Sequence, residues 1–391
     1  MEGTATNSLR SAMRQIRRAA LDNEPIGGIT HCFYRYPARF APSFARSCIE
    51  TLSEPGQIVL DPYMGGGTTA VEAMAMGRHF IGCDINSLSV FVSRAKITVL
   101  SNLEMDAVEA WANHSVPLLR CKDSLASHDA ELHYRPRNTS LPQARWLRKI
   151  LAVALASAKR ELKSLDAIRF GRCALLNAGQ WALNGRRRIP NADGLRKRIT
   201  EVTNEMLVSI RQLSNLRRNS HSRIVLCEQD AESIDANEEV TQSGPADLVV
   251  TSPPYPGIHI LYHRWQVDGR KESDTPYWLA DCSDGDGAAY YNFADRRQTA
   301  ETRYFEKALR SFSAVRRVMR KGAMLVQLLA FSRPRSQLRR YCRMMEKAGF
   351  REVREKGERR TWRPVPGRRW YANLKGGLPS SREVVMVHQA V

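Results

Sequence analysis

"VLDPYMGGGTTAVEA", residues 59–73, passes from strand to loop to helix in one short stretch. Val59 and Leu60 read as the end of a buried strand, and Pro62, with no amide proton to give a sheet ladder, forces the chain out of it. Gly65, Gly66 and Gly67 let the backbone turn tightly and pass close to a ligand, while Thr68 and Thr69 open a helix whose first amides lack internal partners. That helix runs to Gly77, and "HFIGCDIN" (79–86) reads as a second strand. Strands alternating with helices in this way predict a Rossmann-like α/β fold, a parallel sheet with helices on both faces.

Residues 1–30 carry Arg10, Arg14, Arg17 and Arg18 and read as an amphipathic helix followed by a loop at Pro25–Gly28. From 101 to 220 helical periodicity dominates, and Trp146, Ile150, Val153 and Ala154 fall on one stripe that reads as core. Alternation returns with "RIVLCEQDA" (223–231) and "ADLVVTSPPYPG" (246–257), then a helix over 304–322 and "AMLVQLLAF" (323–331). The expected organisation is an N-terminal helix (1–30), one α/β domain formed by 31–100 and 221–391, and a mostly helical insertion over 101–220.

Gly65-x-Gly67-x-x-Ala70 matches the dinucleotide fingerprint, and Asp84 ends the second strand, where an acid accepts from ribose hydroxyls. Alone, these residues fit a nicotinamide cofactor, S-adenosylmethionine or a tight turn. Asp61-Pro62, directly before the glycines, puts a carboxylate beside the ligand. That suits a cofactor bearing an amino group and a sulfonium, and it opposes a pyrophosphate. Asp230 is placed to reach an adenine amino group or to cap the turn that follows it. In "TSPPY", consecutive prolines hold a hydroxyl, carbonyls and an aromatic ring stiffly at the end of a buried strand.

Taken together, "LDPYMGGGTT" and "TSPPY" resemble the amino-methylating DNA methyltransferases, which use S-adenosyl-L-methionine to methylate the exocyclic nitrogen of cytosine or adenine. The resemblance implies a methyltransferase sheet that binds the cofactor through Asp61, Pro62, Gly65, Gly66, Gly67, Thr68, Thr69, Asp84, Ile85, Asn86, Asp230 and Ala231. "YRYPARFAPSF" (34–44), with Tyr36, Pro37 and Arg39, looks like the family segment that closes over the methionine end. Ser252, Pro253, Pro254 and Tyr255 match the catalytic motif. There Ser252 Oγ and the Pro253 carbonyl are expected to accept the hydrogens of an exocyclic amine, with Tyr255 as a face for a flipped base. Serine at 252, where many adenine enzymes carry aspartate, resembles the cytosine-specific branch. N4-methylcytosine is therefore the expected product, with N6-methyladenine and an RNA guanine amino group as alternatives. No metal and no dedicated nucleophile are expected.

The composition agrees with a polyanionic partner. Sixty Lys and Arg against 40 Asp and Glu give a formal net charge of +20 and a pI near 10.0, which points to duplex DNA. Arg186, Arg187, Arg188, His263 and Arg264 are the candidate contacts, and 186–220 holds nine basic residues against Asp193, Glu201 and Glu205. A cognate restriction endonuclease is a candidate protein partner. Eight scattered cysteines without a C-x-x-C pair argue against structural zinc and a disulfide framework, and for a reducing cytoplasm. The histidines show no ligand spacing and read as ordinary polar residues, and no apolar run is long enough to span a bilayer.

Overall fold

Val59 pairs with Leu248 and Leu60 with Val249 in parallel register, so the strands that lead into the two motifs lie side by side. The computed structural model describes residues 2–22, 27–37, 39–123, 129–186, 188–217, 222–256, 264–269, 271–285, 293, 300–354, 359–364 and 382–391. Two helices, α1 (Glu2–Ala20) and α2 (Pro42–Leu52), precede β1 (Ile58–Asp61), α3 (Thr68–Ala75), β2 (His79–Asp84) and α4 (Ser87–Ile97). A helical stretch follows: α5 (Asn102–Ala110), α6 (Ala130–His133), α7 (Arg145–Glu161), α8 (Leu165–Leu183) and α9 (Ala192–Arg217). Then come β3 (Ile224–Glu228), α10 (Glu238–Gln242) and β4 (Ala246–Thr251), a short hairpin β5 (Trp265–Val267) and β6 (Lys271–Ser273), and α11 (Thr275–Ala280). The chain continues through α12 (Ala300–Arg317), β7 (Met319–Ala330), α13 (Pro334–Lys347), β8 (Phe350–Glu352), β9 (Trp362–Pro364) and β10 (Arg382–Ala390).

The main sheet has the order β3-β2-β1-β4-β7-β10-β8, with β9 also paired to β10. Strands β3, β2, β1, β4 and β7 are parallel, and β10 enters antiparallel. Side chains alternate between two cores. Val59, Phe80, Leu248, Val250, Val326 and Leu328 join α1–α4 and the helices of 101–217 on one face. Leu60, Ile81, Val249, Leu325 and Leu329 pack against α12 and α13 on the other. A sheet buried on both faces is the α/β arrangement. The chain runs outward from β1 through β2 to β3 and then crosses back to β4 on the other side of β1, and the crevice beyond the carboxyl ends at such a reversal is where α/β folds bind ligands.

Two local expectations need correction. Trp146 is 45% exposed while Ile150, Val153 and Ala154 are buried. It sits in the first turn of α7 with Arg145 and Lys149 stacked over its ring at 4.9 and 5.0 Å, so cations cover it in place of the core. The helix expected to reach 322 stops at Arg317, because Met319 already pairs with Ala246 and 319–322 extend the strand. Tertiary pairing overrides the helical periodicity there. Among the described residues no helix is long and apolar enough to cross a membrane.

Candidate functional site

Asp61, the last residue of β1, is 1% exposed and both its oxygens are held by protein donors. Thr69 Oγ1 donates to Oδ2 at 2.7 Å; Thr251 Oγ1, at 2.7 Å, and the Tyr63 amide, at 3.2 Å, donate to Oδ1. The acid expected to lie beside the ligand is therefore a staple joining the first turn of α3 to the residue before Ser252. Burial pushes its pKa up to about 6, against the pull of Thr251, Thr69 and the Tyr63 amide.

Gly65 and Gly67 adopt φ of 49° and 72°, and Gly67 caps α3 from the left-handed region. The close approach at this loop is also made by the protein itself. A Cβ on Gly66 would stand 2.6 Å from Tyr36 Cβ, and one on Gly67 would stand 2.6 Å from Ser93 Oγ. Tyr36 thus lies over the glycines, and its hydroxyl accepts from Asn86 Nδ2 at 3.0 Å. Arg39 reaches back to the His31 carbonyl at 3.0 Å, which shapes the turn containing Pro37. At the end of β2, Asp84 accepts from the Gly65 amide at 2.8 Å and the Asn86 amide at 2.9 Å, and Asn86 caps α4. Burial raises the Asp84 pKa. Ile85 is half-buried beside it, and Pro62, Thr68 and Thr69 are buried in the loop wall. Asp230 caps the turn at Ala231 through the Glu232 amide and pairs with Lys307 at 2.7 Å. Gly66→Ala is expected to push Tyr36 off the loop and weaken S-adenosylmethionine binding by about tenfold or more, read by calorimetry; unchanged affinity would show that 34–40 does not shape the cofactor site.

Three supports of this loop escape motif matching. Ser89, Ser93 and Lys96, at i, i+4 and i+7, form a buried polar stripe on α4. Ser89 and Ser93 donate to the Gly65 carbonyl at 2.5 and 3.1 Å, and Lys96 Nζ donates to the Gly66 carbonyl at 2.6 Å. Burial, with Arg39 adding repulsion, lowers the Lys96 pKa to about 7. Glu72, 0% exposed on α3, accepts from His31 Nε2 at 2.7 Å and Arg46 Nε at 2.8 Å. Burial opposes its charge, but those two partners outweigh burial and hold its pKa below the usual range. His31 and His388 are each 1% exposed, which corrects the reading of the histidines as ordinary polar residues. A charged residue inside the apolar run "AVEAMA" and a serine–lysine stripe at helical spacing were the available signals.

At the end of β4, Ser252 Oγ lies 2.8 Å from Tyr255 Oη and 3.2 Å from the Leu328 carbonyl. Tyr304 Oη donates to the Pro254 carbonyl at 2.7 Å, and Ser332 Oγ donates to the Pro256 carbonyl at 3.3 Å. No described residue donates to the Pro253 carbonyl. Tyr255 Oη donates to Glu383 Oε1 at 2.8 Å, and Arg363 grips Glu383 Oε2 through Nε at 2.9 Å and an Nη at 2.7 Å. Glu383 carries no sequence signal, and Arg363 stands out only as one arginine of the basic run "RRTWRPVPGRRWY" (359–371). Both come from the far end of the chain.

Arg186 stacks on Trp181 at 4.2 Å, Arg188 is exposed, and Arg187 and His263 lie outside the described residues. Arg264 is held by Asp284 at 2.8 Å and Glu272 at 3.4 Å. Two further stretches that interleave aromatic and basic residues, "HILYHRWQ" (259–266) and "RRTWRPVPGRRWY" (359–371), also lie mostly outside the described residues.

Residues 14–90 match a family described as DNA methylase. The type II methyltransferase M.MvaI of Kocuria varians is 40% identical over 91 residues, 22% of this chain and 20% of that protein. The DNA adenine methyltransferase YhdJ of Escherichia coli is 29% identical over 100 residues, 26% of this chain and 34% of that protein. The chain thus spans a fifth to a third of the length of these relatives. In structure, the rRNA methyltransferase aviRa of Streptomyces viridochromogenes aligns over 95% of this chain and 96% of its own, at 9% identity and a TM-score of 0.38. Over the part of its length that the sequence matches cover, the chain is thus similar to the amino-methyltransferases of DNA, which use S-adenosyl-L-methionine.

Proposed function

We propose that this chain methylates the exocyclic N4 of cytosine in duplex DNA, with S-adenosyl-L-methionine as donor. One observation carries the reading: Asp61 pins Thr69 of the cofactor helix and Thr251 of the Ser-Pro-Pro-Tyr turn to the same carboxyl group. Cofactor loop and acceptor turn are thereby held next to each other at the reversal point of the sheet. The glycine loop roofed by Tyr36, the first amides of α3, Asp84 and Asp230 would hold the cofactor, and a Cβ at Gly66 or Gly67 would displace Tyr36 or Ser93, which shape that loop. When bound, the cofactor supplies a methyl group already activated by its sulfonium. The chain's own task is then to make an exocyclic amine nucleophilic. Its lone pair is delocalised into the base, and acceptors aimed at both amino hydrogens favour a pyramidal nitrogen. Ser252 Oγ and the Pro253 carbonyl are those acceptors, since the carbonyls of Pro254 and Pro256 are already engaged. Tyr255, half-buried, offers its ring to a base extruded from the duplex.

Transfer of labelled methyl to duplex DNA, followed by digestion to nucleosides and mass spectrometry, tests this directly. N4-methylcytosine supports it, whereas label only in tRNA, or none above a no-substrate control, rejects it. N6-adenine methylation is the second reading, favoured by the match to a DNA adenine methyltransferase. The same digest decides between them. A restriction endonuclease acting on the same sequence is the protein partner this reading implies.

For the DNA grip the reading assigns the 101–220 region, through Arg186–Arg188, and adds a second surface. Arg335, Arg339 and Arg343 recur every fourth residue along α13 and, with Arg360, line a groove of about 470 Å³. These three are exposed, and none has an acidic partner among the described residues. The first turn of α13 begins two residues after Ser332, which holds the Pro256 carbonyl, so the stripe starts beside the acceptor turn. Each phosphate contact steepens log K against log salt by about 0.9. Replacing Arg335, Arg339 and Arg343 by alanine is expected to weaken DNA binding equally for all sequences and to flatten that slope by about 2 to 3. An unchanged slope would leave those arginines in solvent and the grip with 186–188.

A further inference from the structure

We propose that Glu383 and Arg363 are positioning residues that set the direction of the hydrogen bonds at Ser252, so that its oxygen meets the substrate as an acceptor; the inference rests on the amino-methyltransferase reading. The argument follows the protons. Arg363 sits directly across from Glu383 on β9 and β10 and places two N–H donors on Oε2, at 2.9 and 2.7 Å. It is itself anchored to the end of α1, through the Ala20 carbonyl at 3.2 Å. Glu383 is 5% exposed and Arg363 is 9% exposed, so this pair is shielded from water. A carboxylate gripped in this way only accepts. Tyr255 Oη, 2.8 Å from Oε1, must therefore donate its single proton to Glu383. That proton is no longer free for Ser252, 2.8 Å away, so in this pair Ser252 can only be the donor. Its one proton goes to Tyr255 Oη or to the Leu328 carbonyl at 3.2 Å. In either arrangement, lone pairs of Ser252 Oγ are left to receive an amino hydrogen. Without the carboxylate, the tyrosine hydroxyl turns toward Ser252 and occupies one of those lone pairs.

Glu383→Gln tests the direction of the chain with almost no change in shape. Arg363 orients the amide oxygen toward itself, the amide N–H then faces Tyr255, and Tyr255 must donate to Ser252. The order reverses. In the full-length chain, assayed below its unfolding transition, Glu383→Gln is expected to lower single-turnover methyl transfer by about 10- to 100-fold at near-wild-type S-adenosylmethionine affinity, with a lowered melting temperature because Arg363 keeps its charge. Tyr255→Phe keeps the ring, removes the hydroxyl, and is expected to retain roughly a tenth or more of the rate, because Ser252 then donates to Leu328. In that background Glu383→Gln should change the rate by less than about threefold, which is the coupling of a double-mutant cycle. An equal loss in both backgrounds would show that Glu383 acts only through the fold. Wild-type transfer by Glu383→Gln, or complete loss in Tyr255→Phe, would also overturn the proposal. Failure of the wild-type chain itself to methylate DNA would instead reject the underlying function.

Discussion

Ser252→Ala is expected to cut methyl transfer to duplex DNA by roughly 100- to 1000-fold, the range for losing one preorganised polar contact to a transition state. The loss should fall on turnover, because Ser252 hydrogen-bonds Tyr255 and the Leu328 carbonyl and, among the described residues, no group of the glycine loop. S-adenosylmethionine affinity is expected to stay within about twofold of wild type, since the cradle proposed at 65–69, Tyr36 and Asp84 is untouched. Tyr255→Ala should be at least as severe, removing the ring as well as the hydroxyl that meets Glu383. Single-turnover rates and calorimetry on the same preparations separate the two effects. A Ser252→Ala rate within a few-fold of wild type would remove the hydroxyl from the chemistry. Weakened cofactor binding at normal turnover would move it into the cofactor site.

Asp61→Ala is expected to have the second-largest effect, and on stability as well as activity. It would leave the Thr69 and Thr251 hydroxyls and the Tyr63 amide without their acceptor in a site where Asp61 is 1% exposed. The cost is on the order of 3 kcal/mol or more, and the two motifs lose their common tether. Asp61→Asn isolates the charge. The folded-state pKa, about 6, lies above the unbound value of 3.8, so the fold holds this proton more tightly than the unfolded chain. Its stabilisation is therefore complete below pH 3.8 and is lost as pH climbs through about 6. Asparagine does not titrate. Urea unfolding of wild type should lose stability relative to Asp61→Asn across that window. A difference that stays constant with pH would show that the carboxyl is ionised throughout.

Much of the architecture was legible because it is local. Val59–Leu60 and Leu248–Val250 announce buried strands, prolines end them, and three glycines before two threonines announce the loop and helix. The motif residues of both turns were named from their resemblance to a known family, since spacing alone left several readings of the glycine loop open. The fate of Trp146 could not: helical periodicity places it near the buried stripe, but a residue at the edge of an apolar face is covered by whatever packs there, here Arg145 and Lys149. The end of α12 was missed because the pairing of Met319 with Ala246 depends on a distant strand.

The sequence by itself determined the alternation of strands and helices, the glycine loop, the rigid Ser-Pro-Pro-Tyr turn and the basic charge. These depend on neighbours a few residues away, through proline's missing amide, glycine's access to positive φ and the period of apolar residues. Only the tertiary structure decided what the charged groups do. It turned Asp61 from an expected ligand acid into a staple, drew Lys96 under the glycine loop, buried Glu72 between His31 and Arg46, and brought Glu383 and Arg363 from the last strands to Tyr255, which meets Ser252. The physical reason is that burial and hydrogen-bond partners are set by which strands become neighbours. In this fold β1, β4, β7 and β10 meet across most of the chain's length, beyond the reach of any local pattern.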